Sequence, residues 1–196
     1  MPPPIPCAPR LRNATATREA MLVSARRHFA RESYEQVGLR DIAGDAGVDP
    51  ALVSRYFGSK EALFKAVLQG HDKNMFRDVG REALPQHLAD LFMDKAPSCG
   101  ATAEKAERLM ILLRSSSSTK ASEIVRESIS EDMLDPIARV LTGDDAQLRA
   151  SLCIAVMMGS GMVRTALGID PLCSAEPAAL HRRLVTLFAA ALAENA

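Results

Sequence analysis

Three sets of residues in this 196-residue chain are of types that can do chemistry. Cys7, Cys99, Cys153 and Cys173 lie far apart, with no CxxC pair and no histidine at metal-ligand spacing, so reduced thiols and no metal are expected. His28, His71, His87 and His181 are equally scattered. No nucleophile and base, paired carboxylates or ligand cluster stands out, so neither an enzyme nor a cofactor is expected. The third set is dense. Between Leu39 and Phe64 the string LRDIAGDAGVDPALVSRYFGSKEALF brings Arg40, Arg55 and Lys60 together with the turn residues Gly47, Pro50 and Gly58. Cations of this kind do recognition chemistry: a planar arginine fork suits a guanine edge or a phosphate, and a lysine suits a phosphate.

Those side chains need short, sharply joined helices to present them. Leu39 to Ala46, Pro50 to Phe57 and Lys60 to about Gln69 read as three such helices. Gly47 supplies the positive φ that ends the first, and Pro50 fits the opening turn of the second, where its missing N–H costs nothing. Gly58 repeats the punctuation, with Ser59 placed to cap the third helix. Ile42, Ala43, Ala46, Val48 and Val53 form the apolar contacts, which leaves Pro50, Ala51, Ser54, Arg55 and Tyr56 exposed on the middle helix. A helix presented in this way can lie in a DNA major groove.

The rest of the chain reads as helical too. Met21, Leu22, Ala25 and Phe29 mark a first helix from Thr15 or Thr17, with Thr as its cap, ending near Ser33 and Tyr34. Ahead of it, Met1 to Pro9 carries five prolines, so residues 1–14 are expected to be a disordered tail. Later helices are expected over Pro85–Asp94, Glu104–Ser115, Ala121–Leu141, Asp145–Leu167 and Pro177–Ala193, about nine in all, in an all-α fold. No strand alternation, secretory signal or run of about 18 apolar residues is apparent, so a cytoplasmic chain that keeps clear of membranes is expected.

The net charge is zero, but its distribution is uneven. Arg10 to Arg81 holds thirteen Lys and Arg against nine Asp and Glu, and the remainder has eleven against fifteen. A basic front on an acidic back suits a DNA-binding head on a body that does not adhere to phosphate.

With TREAMLVSARRHF in the first helix and IAGDAGVDPALVSRYFGSKEALF after it, the chain resembles the TetR family of transcriptional regulators over about a quarter of its length. The resemblance implies a three-helix DNA-binding head over 15–81, with Arg40, Pro50, Ala51, Ser54, Arg55 and Tyr56 at DNA and Lys60 on a phosphate. It also implies a helical ligand-binding and dimerisation body over 82–196. The function implied is that of a repressor, homodimeric on a near-palindromic operator and released by a small molecule. Departures are Val37-Gly38, where a hydroxyl residue is usual, Asp49 in place of Ser, and Ser54 in place of Tyr. Asp49 either caps the recognition helix or contacts cytosine, with the cap favoured.

Leu148, Leu152, Ala155, Val156, Gly159, Val163 and Leu167 form one helical stripe, and Leu180, Leu184, Leu187, Phe188 and Leu192 another. Either could line a monomer's core; by resemblance they make a dimer interface, with Leu152, Val156, Gly159, Val163, Leu184 and Phe188 at its centre. Met93, Met110, Met133, Met158 and Met162 suit an adaptable ligand pocket or plain core filling. His87, Arg114, Arg126 and Arg164 could each anchor a polar group or simply lie at the surface. The rival functions are a helical interaction protein that has lost DNA binding, and an activator with the same head.

Overall fold

The computed structural model describes residues 11–69, 75–95, 103–165 and 167–194. The head is α1 (Leu11–Arg31), α2 (Leu39–Asp45), α3 (Pro50–Phe57) and α4 (Lys60–Leu68). The body is α5 (Leu84–Lys95), α6 (Ala103–Ser115), α7 (Thr119–Ile129), a π turn (Ser130–Leu134), α8 (Asp135–Arg139), α9 (Ala146–Thr165), α10 (Asp170–Cys173) and α11 (Pro177–Leu192). The described residues contain no strand.

Three boundaries differ from the sequence expectation. Helix α1 starts at Leu11, so Thr15 and Thr17 lie inside it. No proline lies between Pro9 and the end of α1 at Arg31, and Leu, Arg and Ala extend a helix readily. Residues 1–10 of the expected tail lie outside the described residues. The helix expected over 121–141 is divided, because Pro136 has no N–H for the Asp132 carbonyl. The chain widens into the π turn instead, and the Asp135 N–H bonds to the Ser130 carbonyl five residues back. The segment read as a break holds the single turn of α10, which is too short to show a period.

Two apolar cores organise the molecule. In the head, Met21, Ala25, Phe29, Ile42, Ala43, Val53, Leu63 and Phe64 are buried together. Phe64 meets Phe29 and Tyr34 edge-on at 4.7 and 5.1 Å, the arrangement that the ring quadrupoles favour. This core does not end at the head: Ile111 of α6 and Ala121 of α7 are buried within it. The second core joins α5, α8, α9 and α11 through Leu88, Phe92, Ile137, Cys153, Leu184 and Phe188. Each such large side chain contributes about 1.5–3 kcal/mol on burial.

Arg149 fastens the far end of the body. Only 3% exposed, it bonds Asp145 at 2.8 Å, the Leu192 carbonyl at 3.0 Å and the Thr142 carbonyl. The last turn of α11 is thereby tied to the start of α9.

By length and mean hydropathy alone α9 could cross a membrane, although Gln147, Arg149, Ser151, Ser160 and Arg164 interrupt its apolar residues. Its two charged residues, Arg149 and Arg164, are both buried within the fold.

Candidate nucleic-acid interface and regulatory body

The turn between α2 and α3 is built as its residues require. Ala46 and Val48 donate to the carbonyls of Ile42 and Ala43 at 3.0 and 2.9 Å, and Gly47 has φ +66°, a region that a Cβ disfavours. The Asp49 carboxylate accepts the Ala51 N–H at 2.8 Å, so it caps α3. Val53 anchors α3 in the head core, while Pro50, Ala51, Ser54 and Arg55 are exposed and Tyr56 is half-buried. Arg40 is exposed on α2. The two helices are braced from α1: Ser24 Oγ donates to the Ile42 carbonyl at 3.0 Å, His28 hydrogen-bonds Asp45 at 2.8 Å, and Arg18 lies over the Phe57 ring at 5.2 Å. A rigid, solvent-facing α3 results.

Lys60 starts α4, whose cap Ser59 accepts the Ala62 N–H at 3.1 Å. Its ammonium is not extended. It donates to the Glu35 carbonyl at 3.3 Å and sits 4.7 Å from the centre of the Tyr34 ring. Burial pulls its pKa below the ordinary lysine value. Burial, helped by the charges of Glu61 and Glu35, pushes the Tyr34 hydroxyl up to about 12. Glu35 is 25 residues from Lys60, and nothing local in the sequence announced the contact.

The body meets the head along a line of polar pairs that sequence reasoning missed for the same reason. Arg26 pairs with Glu107 at 3.1 Å, Ser118 Oγ donates to Glu35 at 2.5 Å, and Lys120 pairs with Glu61. Lys65 reaches Glu131 of the π turn at 3.0 Å and Glu127 at 3.4 Å. The hydrogen bond from Lys120 is the largest influence holding the Glu61 carboxyl down at about 2. The bond from Ser118 lowers that of Glu35.

Beside this junction lies a cavity of about 430 Å³ between α6, α7, the π turn and α9. Leu112, Val125, Ile129, Leu134 and Ile154 form its apolar wall, with Arg126 and several serines at its polar side. None of the five singled-out methionines lines it. Met110 packs on the head core, Met93, Met133 and Met158 pack on the body core, and Met162 is half-buried on α9. Of the remaining polar candidates, His87 bonds the Met75 carbonyl at 2.6 Å, Arg114 is exposed and Arg164 is buried.

The outer face of the body is apolar. Leu148, Leu152 and Leu187 are 61, 47 and 52% exposed. Gly159 is exposed beside them, and Val156 and Val163 are half-buried. Leu184 and Phe188, expected at a partner-facing surface, are instead fully buried in the chain's own core. The inward stripe of α11 packs on α5 and α9, so Leu187 is left to face out.

Burial pushes the Cys153 thiol up to about 11, and Cys173 Sγ donates to the Arg164 carbonyl at 3.3 Å. Cys7 and Cys99 lie outside the described residues. Among the described residues no group of three or more His, Cys, Asp or Glu is placed to hold a metal.

A capped recognition helix on a compact head, carried by an all-helical body, defines a DNA-binding transcriptional regulator. Residues 21–67 match the bacterial regulatory proteins of the tetR family, and residues 82–192 match the tetracyclin repressor-like C-terminal domain. The chain belongs to the TetR family. It is similar in structure to GusR of Salmonella enterica, with 17% identity, a TM-score of 0.68 and coverage of 94% of this chain and 99% of that one. NalD of Pseudomonas aeruginosa, described as the secondary repressor of the MexAB-OprM multidrug efflux pump, gives 19%, 0.64, 92% and 97%. A TetR-family regulator from Streptomyces coelicolor gives 27%, 0.50, 94% and 99%. None of the curated proteins matches the sequence significantly.

Proposed function

We propose that the protein is a cytoplasmic repressor and not an enzyme. It binds a near-palindromic operator as a homodimer through paired α3 helices and lets go when a small molecule occupies the body. One observation carries the regulatory part: α6 and α7 wall the cavity with Leu112 and Val125 and also bury Ile111 and Ala121 in the head core. A molecule that parts these helices must move side chains on which the head is built. Because packed cores resist continuous deformation, such a shift tilts the head as a unit and alters the spacing of the two α3 helices. Coupling of this kind is typically worth about 1–3 kcal/mol, or roughly 5- to 150-fold in operator affinity. The exposed leucines of α9 and α11 favour the homodimer, since apolar area of this kind is normally covered.

The test is a screen of small molecules by thermal shift, followed by operator titrations with those that bind. Binders are expected to weaken the operator complex at least about fivefold. If molecules that demonstrably bind the body leave operator affinity unchanged, the regulatory reading is wrong.

A further inference from the structure

The body contains a guanidinium with no counter-charge among the described residues. Arg164, in the last turn of α9, is 4% exposed. Its Nε has no hydrogen-bond partner, its Nη1 meets only the soft Sδ of Met93 at 4.0 Å, and its plane lies over the Phe92 ring at 5.9 Å. Among the described residues no carboxylate pairs with it. The other buried arginines are different: Arg149 has Asp145 and two carbonyls, and Arg26 has Glu107.

Arginine stays charged in proteins, and a buried charge is costly unless it is paired and hydrogen-bonded. The C-terminal end of the α9 dipole and the face of Phe92 offset part of that cost. Neither provides an acceptor for the planar N–H fork, whereas a carboxylate does so with two oxygens. The surroundings define the rest of the ligand. Phe92 and Met93 are apolar, methionine repacks readily, and Gly161, one turn back on α9, keeps the wall beside Phe92 low. The open cavity beside α6 makes no such demand, because its one charged lining residue, Arg126, is exposed to water.

We propose that Arg164 is the anchor of an anion site between α5 and the end of α9, taking a small organic carboxylate with an apolar body. The regulatory meaning of the site rests on the proposed effector role of the body; the binding itself does not.

The experiment compares octanoate with its neutral counterpart octanol, and with chloride at equal ionic strength, by thermal shift and calorimetry on the full chain. Octanoate is expected to stabilise the wild type where octanol and chloride do not. Arg164→Met should weaken octanoate binding roughly tenfold to a hundredfold. Without ligand, this variant should be at least as stable as the wild type, because it removes an unpaired charge. Arg164→Lys should keep part of the octanoate response. Three results would overturn the assignment: equal octanoate stabilisation of the wild type and Arg164→Met, equal Arg164-dependent stabilisation by chloride, or a ligand-free destabilisation of Arg164→Met that Arg164→Lys rescues. Operator affinity without ligand is measured on the same samples. Failure of the anion site leaves that affinity intact, and absence of operator binding by the wild type refutes the repressor reading alone.

Discussion

Arg55 and Lys60 are both basic, both near the recognition helix, and placed differently. Arg55 extends into solvent from α3, while Lys60 is folded onto Tyr34 and must leave the Glu35 carbonyl to reach a phosphate. Arg55→Ala should cost about 1–3 kcal/mol of operator affinity if Arg55 reads a base edge, with relaxed preference at one operator position. Lys60→Ala should weaken binding to all duplexes alike and reduce the slope of log affinity against log salt by about 1. Anisotropy titrations over a salt series separate the two. Asp49→Ala removes the α3 cap and should cost about 1 kcal/mol of stability, read by urea unfolding. Asp49, Gly47 and Ser59 were legible in the sequence because a cap or a turn acts over two or three residues. The docking of Lys60 was not, since its partners are far away along the chain.

Helices α6 and α7 connect body to head. Ile111→Ala opens a cavity in the head core from the body side and should cost about 2–5 kcal/mol. Head and body should then unfold together, visible as one shared transition by calorimetry. The same junction responds to acid. Glu35 and Glu61 have depressed carboxyl pKa values in the folded chain. The stabilisation from both is therefore present above the ordinary carboxylate value of 4.5 and is lost as pH falls below it, for Glu61 toward about 2. Amide exchange in α4 and α7 should accelerate over that window ahead of exchange in the middle of α9, a helix that carries no carboxylate. Periodicity revealed most of these helices, since an amphipathic stripe repeats over several turns. It missed the π turn, where Pro136 removes one donor without interrupting the apolar pattern, and α10, which is a single turn.

For the molecule as a whole, pairing and DNA binding should stand or fall together. Leu152→Glu places a charge in the exposed apolar face of α9 without touching either core. Sedimentation should show a monomer with unchanged helix content, and operator affinity should drop sharply, because a single head engages only one half-site. The sequence showed apolar stripes on α9 and α11 but not their direction. Both sides of α11 carry leucine, and only the packing on α5 decides that Leu184 turns in and Leu187 turns out. The overall plan of head and body was legible through Leu39 to Phe64, where turn chemistry, apolar spacing and exposed cations agree on one geometry.

The most direct measurement is selection of bound duplexes from a random-sequence pool by the purified full chain at moderate salt, followed by sequencing. An inverted repeat should emerge, with half-site centres roughly 34–36 Å or a multiple apart and two chains per duplex. Replacing Arg55 should erase or alter it. A pool that stays unenriched, or an enriched sequence with no symmetry bound by one chain, would contradict a paired α3 reading base edges.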